Sequence, residues 1–298
     1  MTFSGIWENF QERISPLRSQ LFPREVLIEL TDEGLRGQLF RNDRPEPVSL
    51  EAPLPPLTCK DGMPLEPEPL GDMIGDLLVR DKLLDTHVMA ALPPVAVQFR
   101  VIAWPDGEDL PDDPSQALRR LNPDLTLPFS LSEACFDLLP LAGVESRSLL
   151  AASPRRLVEG WIEVFNFAGA QLERLAPAQS CQLAALEGVL QACPEDELVA
   201  LLDVRPEGVR LMLIREGVPR FERALEPDRS LMAQDLERCL RFYRRQDPAA
   251  EGLRLLLTAP LPDVELVEES LGVGAELLDH GPYGSLVLQG LAIHDRTP

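Results

Sequence analysis

Val26-Leu27-Ile28-Glu29-Leu30-Thr31-Asp32-Glu33-Gly34-Leu35-Arg36 is echoed, late in the chain, by Ala200-Leu201-Leu202-Asp203-Val204-Arg205-Pro206-Glu207-Gly208-Val209-Arg210. Aligned without a gap, Leu27/Leu201, Glu33/Glu207, Gly34/Gly208, Arg36/Arg210, Leu39/Leu213 and Arg41/Arg215 are identical, and Glu29 and Asp203 are both acidic. Each copy is an apolar run, a turn with Glu-Gly at its tip and a second strand, which is the pattern of a β-hairpin. The elements after each hairpin recur as well. Residues 70–84 have helical spacing, with Met73, Ile74, Leu77 and Leu78 on one face, and lead to a strand over 87–92. Residues 231–245 likewise precede a strand over 253–258. A hairpin, a helix and a buried strand, met twice, predict an α/β chain of two domains built on one plan.

Between the copies the pattern predicts a small α+β subdomain inserted into the first domain. After an alternating strand with Val97, Phe99 and Val101 on one side, the chain runs through an acidic loop over 106–113 into a short helix near 116–121. Two strands come next, one ending in Phe136-Asp137-Leu138-Leu139 and one over 148–152. A helix then starts at Ser153-Pro154, with Ser153 as the cap and Leu157, Val158, Trp161, Ile162 and Phe165 as its stripe. A helix over 179–191 joins the halves. The expected boundaries are an amphipathic extension over 1–23, a first domain over 24–178 with its insertion at about 104–165, and a second domain over 179–298. The extension repeats Phe3, Ile6, Trp7, Phe10, Ile14, Leu17 and Leu21 at helical spacing, interrupted at Ser15-Pro16, and lacks the cationic excess of a lipid-surface helix. The proline-rich stretch 44–69 reads as an extended surface loop with an edge strand.

Composition removes several classes of function. With 49 acidic and 28 basic residues in 298, a formal charge of −21, the surface as a whole repels nucleic acid and anionic headgroups. Lysine occurs only at Lys60 and Lys82, which leaves little for Schiff-base or P-loop chemistry. Five cysteines, odd in number, widely spaced and never in C-x-x-C, fit a reducing compartment better than a disulfide framework or zinc site. No apolar run approaches the roughly 20 residues of a membrane span, so a soluble chain, attached to a membrane at most peripherally, is expected. His87, His280 and His294 lack metal-ligand spacing and read as surface or capping residues, Ser153 and Ser285 lack glycine elbows, and no metal site is expected. Gly71 and Gly75 read as close-packing points of the first helix against the sheet.

Several passages resemble the PilM family of type IV pilus assembly proteins, which are actin-like and related to the cell-division protein FtsA. Ala90-Ala91-Leu92-Pro93 with the strand after it is similar to the family's entry into its inserted subdomain. Thr126-Leu127-Pro128-Phe129, with Phe136-Asp137, is similar to its "isoleucine-proline-phenylalanine-proline" passage and the strand after it. Leu150-Ala151-Ala152-Ser153-Pro154, the helix end Phe167-Ala168-Gly169-Ala170, and residues 285–292 match later passages in the same order. The resemblance covers about 24–294 and implies duplicated actin-like, ribonuclease-H-like domains, in agreement with the repeat. In such folds the hairpin turns flank a nucleotide and a carboxylate at the end of the first strand holds its metal.

The residues at those positions depart from the family's pattern. The first loop reads Glu29-Leu30-Thr31-Asp32-Glu33-Gly34, without the early glycine and with two further carboxylates, Asp32 and Glu33, directed toward the phosphate position. Each would cost on the order of a few kcal/mol against an anion about 5 Å away. The second keeps Asp203 but continues with Arg205-Pro206-Glu207, and proline deletes an N–H donor. The turn expected to contact adenosine reads Thr258-Ala259-Pro260-Leu261-Pro262. Glu29, Thr31, Asp203, Arg205 and Thr258 are therefore taken as vestiges of nucleotide loops, with ATP and magnesium not expected as cofactors. The resemblance then implies a cytoplasmic, non-enzymatic adaptor, a pseudo-ATPase, held at the inner membrane by a partner. That partner is PilN, a bitopic membrane protein whose cytoplasmic tail lies in a groove between the first domain and its insertion; pilus motor ATPases and the platform protein are further candidates. Phe99, Val101, Phe129, Phe136 and Leu138 are the expected groove residues. The alternatives are an actin-like ATPase that still binds Mg-ATP, and the cytoplasmic component of a type II secretion platform.

Overall fold

A computed structural model describes residues 24–41, 44–84, 86–104, 118, 125–141, 147–226 and 228–294. The first sheet is built around β1 (Arg24–Leu30), which forms an antiparallel hairpin with β2 (Gly34–Arg41); β3 (Arg44–Pro53) adds beyond β2. On the other side β6 (His87–Leu92) and β10 (Gln171–Pro177) lie parallel to β1, giving the order β3-β2-β1-β6-β10. The second sheet repeats this plan. Strands β11 (Glu197–Arg205) and β12 (Gly208–Arg215) form the hairpin, β13 (Val218–Ala224) adds outside it, and β14 (Gly252–Leu257) and β15 (Ala275–Leu277) continue in parallel, in the order β13-β12-β11-β14-β15. The registers coincide as well: Glu29 faces Arg36 in the first hairpin and Asp203 faces Arg210 in the second.

The central strands read as apolar runs because helices cover both faces of each sheet. On the first sheet Val26, Ile28, Leu30, Val88 and Ala90 meet α1 (Pro67–Arg80) and α2 (Arg155–Phe167), whose Trp161 and Phe165 are fully buried. The opposite face, through Leu27, Met89 and Ala91, packs on α3 (Ala178–Ala185) and α7 (Leu286–His294). On the second sheet α5 (Arg229–Gln246) and α6 (Val264–Leu271) take one face. Short α4 (Glu187–Gln191) contributes Val189 and Leu190 to the other, beside Leu286. Helices α3 and α7 thus form a wedge shared by both halves. A Cβ on Gly290 would lie 1.7 Å from the Cys181 carbonyl oxygen, so the two helices cross in backbone contact.

The structure revises several local expectations. The stretch 44–69 is more ordered than a loop. It supplies the edge strand β3, then the small hairpin β4 (Cys59–Lys60) and β5 (Met63–Pro64), and α1 begins at Pro67. Gly71 and Gly75 do pack closely, but against α2 rather than the sheet: a Cβ on Gly71 would meet Phe167 Cβ at 2.3 Å, and one on Gly75 the Ala168 carbonyl at 3.1 Å. Ser153 does not cap α2. Its hydroxyl donates to the Ala96 carbonyl (2.9 Å), and Pro154 stands at the cap position. The joining helix breaks at Leu186 into α3 and α4. His87 is buried rather than superficial, its Nδ1 paired with Glu173. Residues 1–23, the acidic loop 106–113, and all of the expected 116–121 helix except helical Leu118 lie outside the described residues.

The insertion is a three-stranded antiparallel sheet, β7 (Gln98–Ala103), β9 (Arg147–Pro154) and β8 (Ala134–Pro140), with β9 central. It begins several residues before position 104. Helix α2, placed within it by the sequence, packs into the core of the first domain. A separate small core of Ile102, Trp104, Leu118, Leu138, Leu150 and Ala152 holds the insertion together, with Trp104 Nε1 donating to Ser148 Oγ (2.9 Å).

Candidate functional site: an arginine-filled interdomain cleft

A cleft of about 900 Å³ opens between the two hairpins, with the turns 31–34 and 205–208 on opposite walls and Thr258 to Pro262 at one end. It exists because the duplicated hairpins face each other across the α3–α7 wedge, which puts Glu29 at the end of β1 opposite Asp203 at the end of β11. Both side chains are buried, at 4% and 8% residue exposure. Two carboxylates in that setting need compensating charge.

Arg205 supplies it. Its Nη2 lies 2.7 Å from Glu29 Oε1 and its Nε 2.8 Å from Asp203 Oδ2, so one guanidinium bridges a carboxylate of each domain. The remaining acceptor positions are also used. Ser285 Oγ donates to Glu29 Oε2 (2.6 Å) and accepts from Leu288 N (3.1 Å), capping α7 in the same act. Gln182 Nε2 donates to Asp203 Oδ2 (3.0 Å) and Thr258 Oγ1 to Asp203 Oδ1 (3.2 Å), while Val204 N donates to Thr258 Oγ1 (2.9 Å). His280 Nε2 meets the Thr258 carbonyl, which requires that nitrogen to carry a proton. Burial by itself would lower the Arg205 pKa, but the Glu29 and Asp203 charges outweigh it and hold the guanidinium charged well beyond its ordinary range.

A magnesium nucleotide needs free carboxylate oxygens for the metal and free N–H groups for phosphate. In this structure several of those groups have partners within the protein. The carboxylates are engaged by Arg205. In the first turn Thr31 Oγ1 accepts from Gly34 N (2.9 Å) and Glu33 N (3.3 Å), and Thr31 N donates to the Gly34 carbonyl (2.9 Å), so the turn closes on its own donors. In the second, Pro206 has no N–H. Carboxylates of Glu33, Glu51, Glu207 and Glu226 line the cleft beside Arg36. Asp32 departs from expectation: its Oδ1 accepts from Gly62 N (2.6 Å), which ties it to the β4–β5 hairpin instead of aiming it at the cleft.

The five residues expected at nucleotide-loop positions, Glu29, Thr31, Asp203, Arg205 and Thr258, are brought together in one cleft, whereas the five expected groove residues are not. Phe129, Phe136 and Leu138 belong to the small core of the insertion. Phe99 sits on the opposite face of that sheet and packs against the first domain's core. Val101 shares its face and forms a cross-strand row with Leu149 and Leu139. Leu139 is 64% exposed. Leu139, Gln182, His280 and Ser285 were not singled out as site residues from the sequence. Only Ser285 carried a usable signal, a serine directly before a helical apolar run.

No protein-family model and no curated protein matches the chain. Solved structures are similar. A PilM–PilN type IV pilus biogenesis complex matches with a TM-score of 0.73 at 22% identity, covering 92% of this chain and 99% of that one. The cytoplasmic domain of EpsL, an inner-membrane component of the type II secretion system of Vibrio cholerae, matches with 0.52 at 14% identity over 92% and 94% of the two chains. A Bacteroides thetaiotaomicron protein with an actin-like ATPase fold and unknown function matches with 0.50 at 11% identity over 87% and 92%. Together with the two sheets of one strand order, these likenesses establish that the chain has a duplicated actin-like fold with a small subdomain inserted in its first half.

Proposed function

We propose that this chain is a non-enzymatic actin-like adaptor of a type IV pilus inner-membrane assembly complex, which binds the cytoplasmic tail of a PilN-like bitopic membrane protein. The observation that carries the reading is Arg205, seated between Glu29 and Asp203 where an actin-like ATPase would need a metal ion and its waters. A guanidinium tethered to the chain replaces a cation that would arrive with nucleotide, and the cleft becomes a fixed joint. The resemblance of the sequence to the PilM family and the likeness to a PilM–PilN complex support the choice of partner. No helix of the described residues is long and apolar enough to cross a membrane, which is consistent with attachment through a partner.

In this reading the tail lies along the face of the inserted sheet that carries Val101, Leu149 and Leu139, with β7 and β8 as its edge strands. Apolar side chains of the tail would fill that row, and its backbone would pair with a sheet edge. Two measurements test the proposal. Calorimetry with Mg-ATP is expected to give no heat of binding; a saturable isotherm abolished by Asp203→Ala would favour the ATPase alternative. Pull-down with the tail peptide of a PilN-like protein is expected to succeed with the wild type and to fail with Val101→Asp or Leu139→Asp. Equal capture by all three removes the groove assignment. The likeness to the EpsL domain keeps a secretion platform as the second reading, and capture of an EpsL-partner peptide in place of the PilN-like one would select it.

A further inference from the structure

One face of the second domain runs against the charge of the chain. Helix α5 carries five arginines against Asp235 and Glu237, in a protein whose net charge is −21. The core takes Leu236, Cys239, Leu240 and Tyr243 of this helix. Its outward side holds Leu231, Arg238, Phe242 and Arg245, all exposed and spaced by seven, four and three residues. At helical rise they follow one line for about 21 Å.

Strand β13 lies alongside that line. Its Phe221 ring stands 6.2 Å from the ring of Phe242, and Arg223, two residues on and on the same face of the strand, reaches Asp235. Phe242 is 53% exposed and Leu231 46%. Asp235 explains how the arginines between them are held. It is buried, and neither of its oxygens accepts a hydrogen bond from the described residues; Arg223 Nη2 and Arg238 Nη1 lie 3.4 and 3.7 Å from the same Oδ1. One carboxylate thus orients two guanidiniums whose heads stay open to solvent, which leaves a net positive charge at the surface. Arg241, beside them, is engaged by Glu237.

We infer that this face docks a short acidic segment of a partner protein, with its carboxylates taken by Arg223, Arg238 and Arg245 and an apolar side chain laid against Phe242 and Leu231. Arginine and phenylalanine are residue types that concentrate in protein interfaces. The size of the patch selects a peptide over a larger polyanion. A line of about 21 Å matches about six extended residues at about 3.3 Å each. A nucleic acid or an anionic membrane extends past the patch and meets the acidic remainder of the surface, because screening over about 8 Å confines the pull of the arginines to their own neighbourhood. The face shares no residue with the row on the inserted sheet, so the two sites hold or fail independently.

Fluorescence anisotropy of the full chain with a labelled peptide that alternates glutamate with leucine and phenylalanine tests the inference. Saturable binding is expected, weakened by added salt and at least about tenfold weaker when glutamine replaces glutamate in the peptide. Arg238→Glu and Arg245→Glu should each weaken it about tenfold and Phe242→Ala about fivefold. All three side chains are exposed, and Phe242→Ala leaves every arginine in place, so an unchanged melting temperature separates lost binding from lost folding. Absence of saturable binding would overturn the inference, as would equal affinity for the glutamine peptide or equal affinity in all three variants. Arg238-dependent pelleting with phosphatidylglycerol vesicles, or Arg238-dependent self-association in sedimentation, in place of peptide binding, would overturn it too.

Discussion

A single side chain decides the character of the cleft. Arg205 neutralises two buried carboxylates, and its removal leaves them facing each other without compensation, a situation that costs about 3–5 kcal/mol where it has been produced. Arg205→Met is therefore expected to lower the urea-derived stability by that order, with Arg205→Lys losing less because an ammonium keeps the charge but not the fork. The same deletion should open a cation site between the two carboxylates. With Arg205→Ala, magnesium chloride is expected to raise the melting temperature, since Glu29 and Asp203 then face each other ready for a cation, whereas the wild type should not respond. The acidity of positions 29 and 203 was legible in the repeat. The pairing of Arg205 with both was not, because the partner of a guanidinium is chosen by where two distant strand ends meet.

At the scale of elements, close helix contacts and one ion pair make separate predictions. Gly71→Ala places a methyl 2.3 Å from Phe167 Cβ and 2.7 Å from the Val164 carbonyl, so α1 and α2 must move apart. A loss of about 1–3 kcal/mol is expected in chemical denaturation. Arg215 on β12 meets Asp247 just beyond α5, and Tyr243 Oη donates to the same carboxylate (3.1 Å). The Arg215 hydrogen bond holds the Asp247 pKa below the ordinary carboxylate range, against the opposing effect of burial. A depressed folded-state value means stability that is present above the unfolded pKa and lost as pH falls through the folded one. Asp247 is partly open to solvent, so the effect is small. The wild type should lose slightly more stability than Asp247→Asn between neutral pH and the low end of carboxylate titration, and equal slopes for the two would exclude the link. The helical periods of 70–84 and 231–245 announced α1 and α5. That the glycines of α1 serve another helix rather than the sheet depends on where α2 returns after the insertion, about ninety residues later in the chain.

Across the whole molecule, the two halves are joined by the wedge of α3 and α7 beneath the cleft and by the Glu29–Arg205–Asp203 bridge within it. Cooperative unfolding in one transition is the expected behaviour of the wild type. Gly290→Ala, whose methyl would overlap the Cys181 carbonyl, is expected to separate the halves into two transitions in calorimetry, and one unbroken transition would show that the wedge is not what couples them. The chain's amino-acid order by itself determined the duplication, the hairpins with Glu29 and Asp203 in equivalent places and a second turn without an N–H donor at Pro206, because local period and residue type dictate strands, turns and donors. Which side chains face each other across the two halves was decided only by the tertiary structure. Arg205 reaches Glu29, Ser285 caps a helix while binding Glu29, Asp32 turns to Gly62, and three of the five expected groove residues are drawn into a private core. Such contacts join residues remote in sequence, and their energies exist only once the sheets, the insertion and the wedge have fixed the distances.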